Sequence, residues 1–366
     1  MYENGEKNMK NAKKWLCLLL AVSLVTVFAA CGSPAAKPAA EAAEKTPAEP
    51  AAETPAAAAE EKEAQASRKD LTFVLDWTPN TNHTGIYVAL AKGYYEDAGL
   101  NVSIIQPPED GATMMVASGK AQLGIDFQDY LTPVFASKDK IPVTAVAALI
   151  QHNTSGIISL KEDGIETPKG LEGKNYATWE LPTEQAMLKN IVEADGGDFS
   201  KVNLIPEYVT DEVSALQQDI DAIWIYYAWA GIATEQAGLE TNMIYFKDIT
   251  PEFDYYSPVI IANDSFLAED PDTARAFLAA TAKGYEFAIE NPEEAAKILC
   301  EQVPELNLEM VTASQLWLRD QYKAEVPRWG YIDPARWDAF YAWLYRNGLT
   351  EEIPAGTGFT NDFLPA

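Results

Sequence analysis

From residue 71 onward, two rhythms of apolar and polar positions alternate along the chain. Short runs of continuous apolar character, at 71–77, 101–107, 121–127 and 142–150, predict strands. Between them, 86–99, 112–119 and 129–137 carry helical spacing, the first closed by Gly99. A second group repeats the alternation. It has strands at 174–179, 203–209 and 220–227, helices at 183–196 and 211–218, and further extended runs at 242–248 and 255–263. The remainder is mostly helical, at 271–289, 292–303, 308–323 and 334–349. Strands that are apolar throughout imply parallel pairing with both faces covered, so the fold class is α/β. Two such groups in 366 residues suggest two lobes.

The first 67 residues follow neither rhythm. Lys10, Lys13 and Lys14 precede an apolar run that ends in Phe28-Ala29-Ala30-Cys31, which reads as a signal peptide over 1–30. The FAAC-G-S junction resembles a lipoprotein lipobox, making Cys31 the lipidation site. The segment 31–69 is rich in Ala, Pro and Glu and has almost no large apolar residue. It reads as an extended tether that cannot offset its ordering entropy. The expected location is extracytoplasmic, held to the outer face of the cell membrane by the lipid alone. Cys300 is the only other cysteine after the leader, so no disulfide framework is expected. Its amphipathic helical context suggests a buried small hydrophobe. A formal charge of -28 argues against nucleic acid or an anionic membrane surface as partner.

Ligands of open parallel sheets lie beyond the carboxyl ends of the strands. That rule nominates Asp76 and Trp77, then Asp126, Phe127 and Gln128, then Gln151, His152 and Asn153, then Trp179 and Glu180, and finally Trp224, Ile225 and Tyr226. Asn80 and His83 join them from the polar loop TPNTNHTG, and Tyr256 from a crossover. So many indole and phenol groups suit a planar ligand between aromatic faces, with acid and amide groups at its edge. Tyr227 and Trp229 fit the core as well as the site. No GxSxG elbow, Walker loop, HExxH or GxGxxG occurs. Neither catalytic residues, a metal nor a cofactor is expected.

The stretches LDWTPNTNHTGIYVALAKGYYEDAGL, GATMMVASGKAQLGIDFQDYL, VAALIQHNTSGIISL and YYSPVIIAND resemble the thiamine-precursor-binding family over about residues 70–350. That family joins lipoprotein receptors of ABC importers for aminopyrimidines with a fungal pyrimidine synthase. The resemblance implies a type II periplasmic-binding-protein fold: two lobes with parallel-dominated mixed sheets and a two-crossing hinge. Lobe 1 is expected at 70–157 plus 259–366, and lobe 2 at 158–258. It also implies a carboxylate and an aromatic on the pyrimidine from Asp76 and Trp77, with Asn80 and His83 matching loop residues. The receptors' tyrosine, two glycines, tryptophan, glycine, serine, proline segment is here Tyr176-Ala-Thr-Trp179-Glu180-Leu-Pro182, which re-shapes that wall. The synthase's lysine and histidine positions hold Asp126 and Tyr130, which removes its chemistry. The expected protein is a monomeric receptor closing on a heteroaromatic solute and docking on a permease whose partner ATPase is a separate chain. A same-fold receptor for riboflavin or an alkanesulfonate is the alternative.

Overall fold

The computed structural model describes residues 68–109 and 111–366. The leader, lipidation and most of the tether expectations therefore lie outside the described residues. In chain order the strands are β1 (Lys69–Val74), β2 (Leu100–Ile105), β3 (Leu123–Asp126), β4 (Val143–Ala148), β5 (Ser155–Leu160), β6 (Asn175–Thr178), β7 (Asn203–Pro206), β8 (Ala222–Tyr226), β9 (Thr241–Tyr245) and β10 (Val259–Asn263). They form two five-stranded sheets, ordered β2-β1-β3-β10-β4 and β7-β6-β8-β5-β9.

Each sheet is mixed for the same reason. The chain crosses between lobes after β4 and returns before β10, and the first strand after each crossing enters its sheet antiparallel to both neighbours. Thus β5 lies between β8 and β9, and β10 between β3 and β4. The remaining contacts of β1 and β6 are parallel. All six residues of β5 belong to the second sheet, so the lobe boundary drawn at 157/158 falls inside a strand. The crossing itself is residues 149–154.

Burial follows from covered faces. Every residue of β10 is buried, as are Leu123, Gly124 and Ile125 of β3. Helix Thr84–Ala91 meets helix Pro271–Glu290 with their backbones nearly touching: a Cβ on Gly284 would lie 1.9 Å from the Gly85 carbonyl oxygen. Only glycine permits that approach. Phe277 of the long helix stacks between Phe73 and Tyr95, at 5.4 and 5.2 Å.

Some element boundaries differ from expectation. Residues 86–99 hold two helices, broken at Gly93 with φ +71. The run 220–227 ends as a strand at Tyr226 and turns at once into a π-helical segment, Tyr227–Gly231. Cys300 lies on its helix as expected but is half-buried, and burial raises its thiol pKa. Among the described residues, no helix is long and apolar enough to cross a membrane.

Candidate functional site

The polar loop after β1 is built mostly for itself. Asn80 caps the turn Thr81–His83, its Oδ1 accepting from the Asn82 N–H at 2.9 Å. The His83 Nδ1 accepts the Asn80 N–H at 3.2 Å. With Nδ1 an acceptor, the imidazole proton sits on Nε2, which donates to Asp76 Oδ1 at 2.7 Å. The ring is fully buried and the Asp76 side chain is 5 % exposed. Tyr322 and Tyr285 donate from below to the Thr81 and Asn82 carbonyls, each at 2.6 Å. His83 and Asn80 therefore fix one carboxylate, that of Asp76, at the end of the first strand.

Two more carboxyls gather at the end of β3. Thr113 donates its hydroxyl to Asp126, whose other oxygen accepts the Phe127 N–H at 2.8 Å. Burial still raises the Asp126 pKa to about 6, with the Asp76 charge adding to the rise. Asp129 goes up to about 7, again chiefly by burial, with the charge of Asp126 adding. Among the described residues, His, Cys, Asp and Glu form no group able to hold a metal ion.

The opposite wall comes from lobe 2. Tyr226, at the end of β8, faces Phe127 of lobe 1 with ring centroids 5.9 Å apart, and Phe127 meets Tyr130 edge-on at 5.5 Å. Burial holds the Tyr226 phenol well above its usual pKa, and the charges of Asp129 and Asp76 push the same way. Trp179 lies against Trp224 at 5.5 Å, and Trp224 in turn packs on Phe246 at 4.1 Å. The Trp179 N–H is fixed by Glu184, a carboxylate that also accepts from the Tyr176 and Thr178 hydroxyls and the Leu181 N–H. Trp77 is 56 % exposed, and Glu180 is exposed too.

Several expected ligand contacts turn inward instead. Gln128 donates to the Trp337 carbonyl at 2.8 Å and accepts the Tyr256 N–H at 2.8 Å. The Tyr256 hydroxyl accepts from the Asp333 N–H. Asn153 donates to the Phe253 carbonyl, while its oxygen accepts from Ser155. Gln151 donates to the Tyr331 carbonyl at 3.0 Å. His152 bridges Asp254 at 2.7 Å and Glu325 at 2.9 Å. These residues tie the two crossings to each other and to the C-terminal segment, and the polar atoms of Gln128, Asn153 and Tyr256, expected at the ligand, are taken up by partners within the protein. Phe127, offered by the strand-end rule beside Gln128, faces Tyr226 across the inter-lobe crevice, and so do Asp129 and Tyr130, which sequence reasoning did not choose for the site. The signal was available: they continue the β3 strand end that supplied Gln128. A separate cavity of about 630 Å³ adjoins Leu160, Asp163, Ile220, Asp221 and Leu239. It opens at the amino end of β8, away from the strand ends where ligands of such sheets lie.

Two mixed α/β sheets, two crossings and a crevice at the strand ends define a type II periplasmic-binding-protein fold. In agreement, the chain superposes on the alkanesulfonate-binding protein SsuA from Xanthomonas axonopodis pv. citri with a TM-score of 0.59, covering 80% of this chain and 99% of that one at 12% identity. The protein belongs to the NMT1/THI5-like family, which it matches over residues 80–295. It is 29% identical over 291 residues to the formylaminopyrimidine-binding protein of Halalkalibacterium halodurans, spanning 76% of this chain and 86% of that one. It is also 27% identical over 273 residues to the 4-amino-5-hydroxymethyl-2-methylpyrimidine phosphate synthase THI13 of Saccharomyces cerevisiae, spanning 66% and 73%.

Proposed function

We propose that this protein is the lipid-anchored, extracytoplasmic solute-binding protein of an ABC importer, and that it captures an aminopyrimidine in the crevice between its lobes. The observation that carries the reading is the Asp76 carboxylate, locked by a histidine of fixed tautomer and placed at the strand end opposite Tyr226. A carboxylate so held can accept from a ring amine, and phenol and indole faces nearby can cover the ring. The name of the Halalkalibacterium halodurans relative supports the ligand class. A binding role rather than catalysis agrees with the synthase's reactive positions being Asp126 and Tyr130. Delivery to a permease needs a hinge closure that the ligand favours by touching both lobes.

Titrating intrinsic fluorescence with 4-amino-2-methylpyrimidine tests this. A saturable change is expected, with no product formed. In Asp76→Asn the affinity should fall about tenfold or more, because a charged acceptor becomes a neutral amide. Saturation by an alkanesulfonate and not by the pyrimidine would overturn the ligand class.

A further inference from the structure

Five buried side-chain atoms reach no hydrogen-bond geometry among the described residues; Asp129 Oδ1 and the Tyr255 hydroxyl are two of them, although they lie within loose reach of each other and Tyr255 within loose reach of Asn153. Buried polar groups are nearly always paired, so two in one place without a full bond need an explanation. They are neighbours. The Asp129 charge acts on the phenols of Tyr130, Tyr226, Tyr255 and Tyr341, raising the pKa of each. Tyr255 is fully buried and its ring is held by stacking on Phe340 at 4.2 Å, so its hydroxyl cannot swing out to water. Tyr341 is occupied, donating to the Gln128 carbonyl at 2.8 Å. Tyr226 belongs to the opposite lobe, so separation of the lobes uncovers the Asp129 side of the crevice.

We propose that Asp129 and Tyr255 form a proton-sharing subsite that takes the amidine-like edge of the ligand, a ring nitrogen next to an exocyclic amine. The inference rests on the aminopyrimidine reading and deepens it. One proton lies between Asp129 Oδ1 and the ring nitrogen. It can be written as a carboxyl O–H donating to a neutral ring or as a ring N–H donating to a carboxylate; the atoms are the same. The exocyclic amine donates to the Tyr255 oxygen. The Asp129 pKa of about 7 means that well above neutral pH this proton must come from solvent as the ligand enters, whereas in acid it is already present. The groups facing Asp129 from neighbouring elements are Asp126 and the four tyrosines. With Asp126 raised only to about 6, it is the less protonated of the two acids at neutral pH.

Calorimetric titration with 4-amino-2-methylpyrimidine, in phosphate and in Tris buffers, measures the protons taken up. Uptake of about one proton per ligand is expected at pH 8, falling as pH is lowered and turning to release in acid, where the free carboxyl and the free basic ring each carry a proton and the complex keeps one. Asp129→Asn should lose the uptake while its amide N–H still donates to the ring, and Asp129→Leu should bind at least tenfold more weakly. Tyr255→Phe removes a hydroxyl that reaches no hydrogen-bond geometry, so it should melt no lower than the parent yet bind several-fold more weakly. Wild-type binding with no uptake, or uptake that persists in Asp129→Asn, overturns the subsite and leaves the aminopyrimidine reading standing. Failure of the wild type to bind any aminopyrimidine overturns that reading, and the subsite with it.

Discussion

Glu180 carries a side chain where its backbone favours none. Its φ is +59, in the left-handed region, and it stands where receptors of the resembled family carry glycine. A non-glycine residue there costs about 1–2 kcal/mol, partly offset by the lower chain entropy of glutamate when unfolded. Glu180→Gly is therefore expected to raise stability by about 0.5–1 kcal/mol, read as a higher urea midpoint at unchanged slope. Four residues on, Glu184 is almost fully buried, and its carboxylate collects donors from Tyr176, Thr178, Trp179 and Leu181. Burial raises its pKa, and those donors oppose the rise. The charge sits in the first turn of helix Pro182–Ala194, where the helix dipole favours it. Glu184→Gln removes the charge and one acceptor, and should lower stability by about 2 kcal/mol. It should also free the Trp179 loop, visible as a shift in tryptophan emission.

At the scale of elements, the hinge holds a charge network. His152, on the first crossing, lies between Asp254 on the second and Glu325 of the C-terminal segment, and Arg336 approaches both acids at 3.6 and 3.5 Å. The hydrogen bond to Asp254 is the largest cause of a raised His152 pKa. A raised pKa means that protonated His152 contributes stability in full below pH 6.5, and that this is lost as pH rises through the folded-state value. The melting-temperature gap between wild type and His152→Gln should be widest near pH 5.5 and close by pH 8.5. A gap that does not vary with pH would show that the imidazolium plays no part. The hinge also marks the limit of what could be read from the sequence. The strands, their order of appearance and the strand-end rule were legible because apolar runs and turn residues are local signals. The inward turn of Gln128 was not: its acceptor, the Trp337 carbonyl, lies 209 residues away, and a glutamine at a strand end looks the same whether it meets a ligand or a distant backbone. The tyrosines were harder still. Tyr226 and Tyr255 both reach the crevice, while the adjacent Tyr227 and Tyr256 turn to Glu235 and to Asp333. Only the fold separates these neighbours.

For the whole molecule, the buried acids set how stability responds to pH. Asp126 and Asp129 have folded-state values of about 6 and about 7, against an ordinary 3.8. Over the interval from about pH 4 to pH 7 the folded state thus binds more protons than the unfolded chain, and stability falls as pH rises. His152 loses its contribution over the upper end of the same range and beyond. Surface acids act in the opposite sense only at lower pH: Asp198, Asp211 and Asp270 are held below their ordinary values by hydrogen bonds, and weaken the fold as they protonate. A formal charge of -28 adds a diffuse repulsion that also grows as carboxyls ionise. Salt separates the two sources, because it screens exposed charges over about 10 Å at 0.1 M and buried ones much less. The ligand-free protein should therefore melt highest near pH 5 and progressively lower towards pH 8, and added salt should recover only part of the loss. The part that salt does not recover should shrink in Asp129→Asn, which has no buried charge to form. In the wild type an aminopyrimidine should widen it instead, because the complex keeps a proton at Asp129 that the unfolded chain does not bind. A melting curve whose pH dependence salt abolishes completely would place the effect on the surface and leave the buried acids out of it.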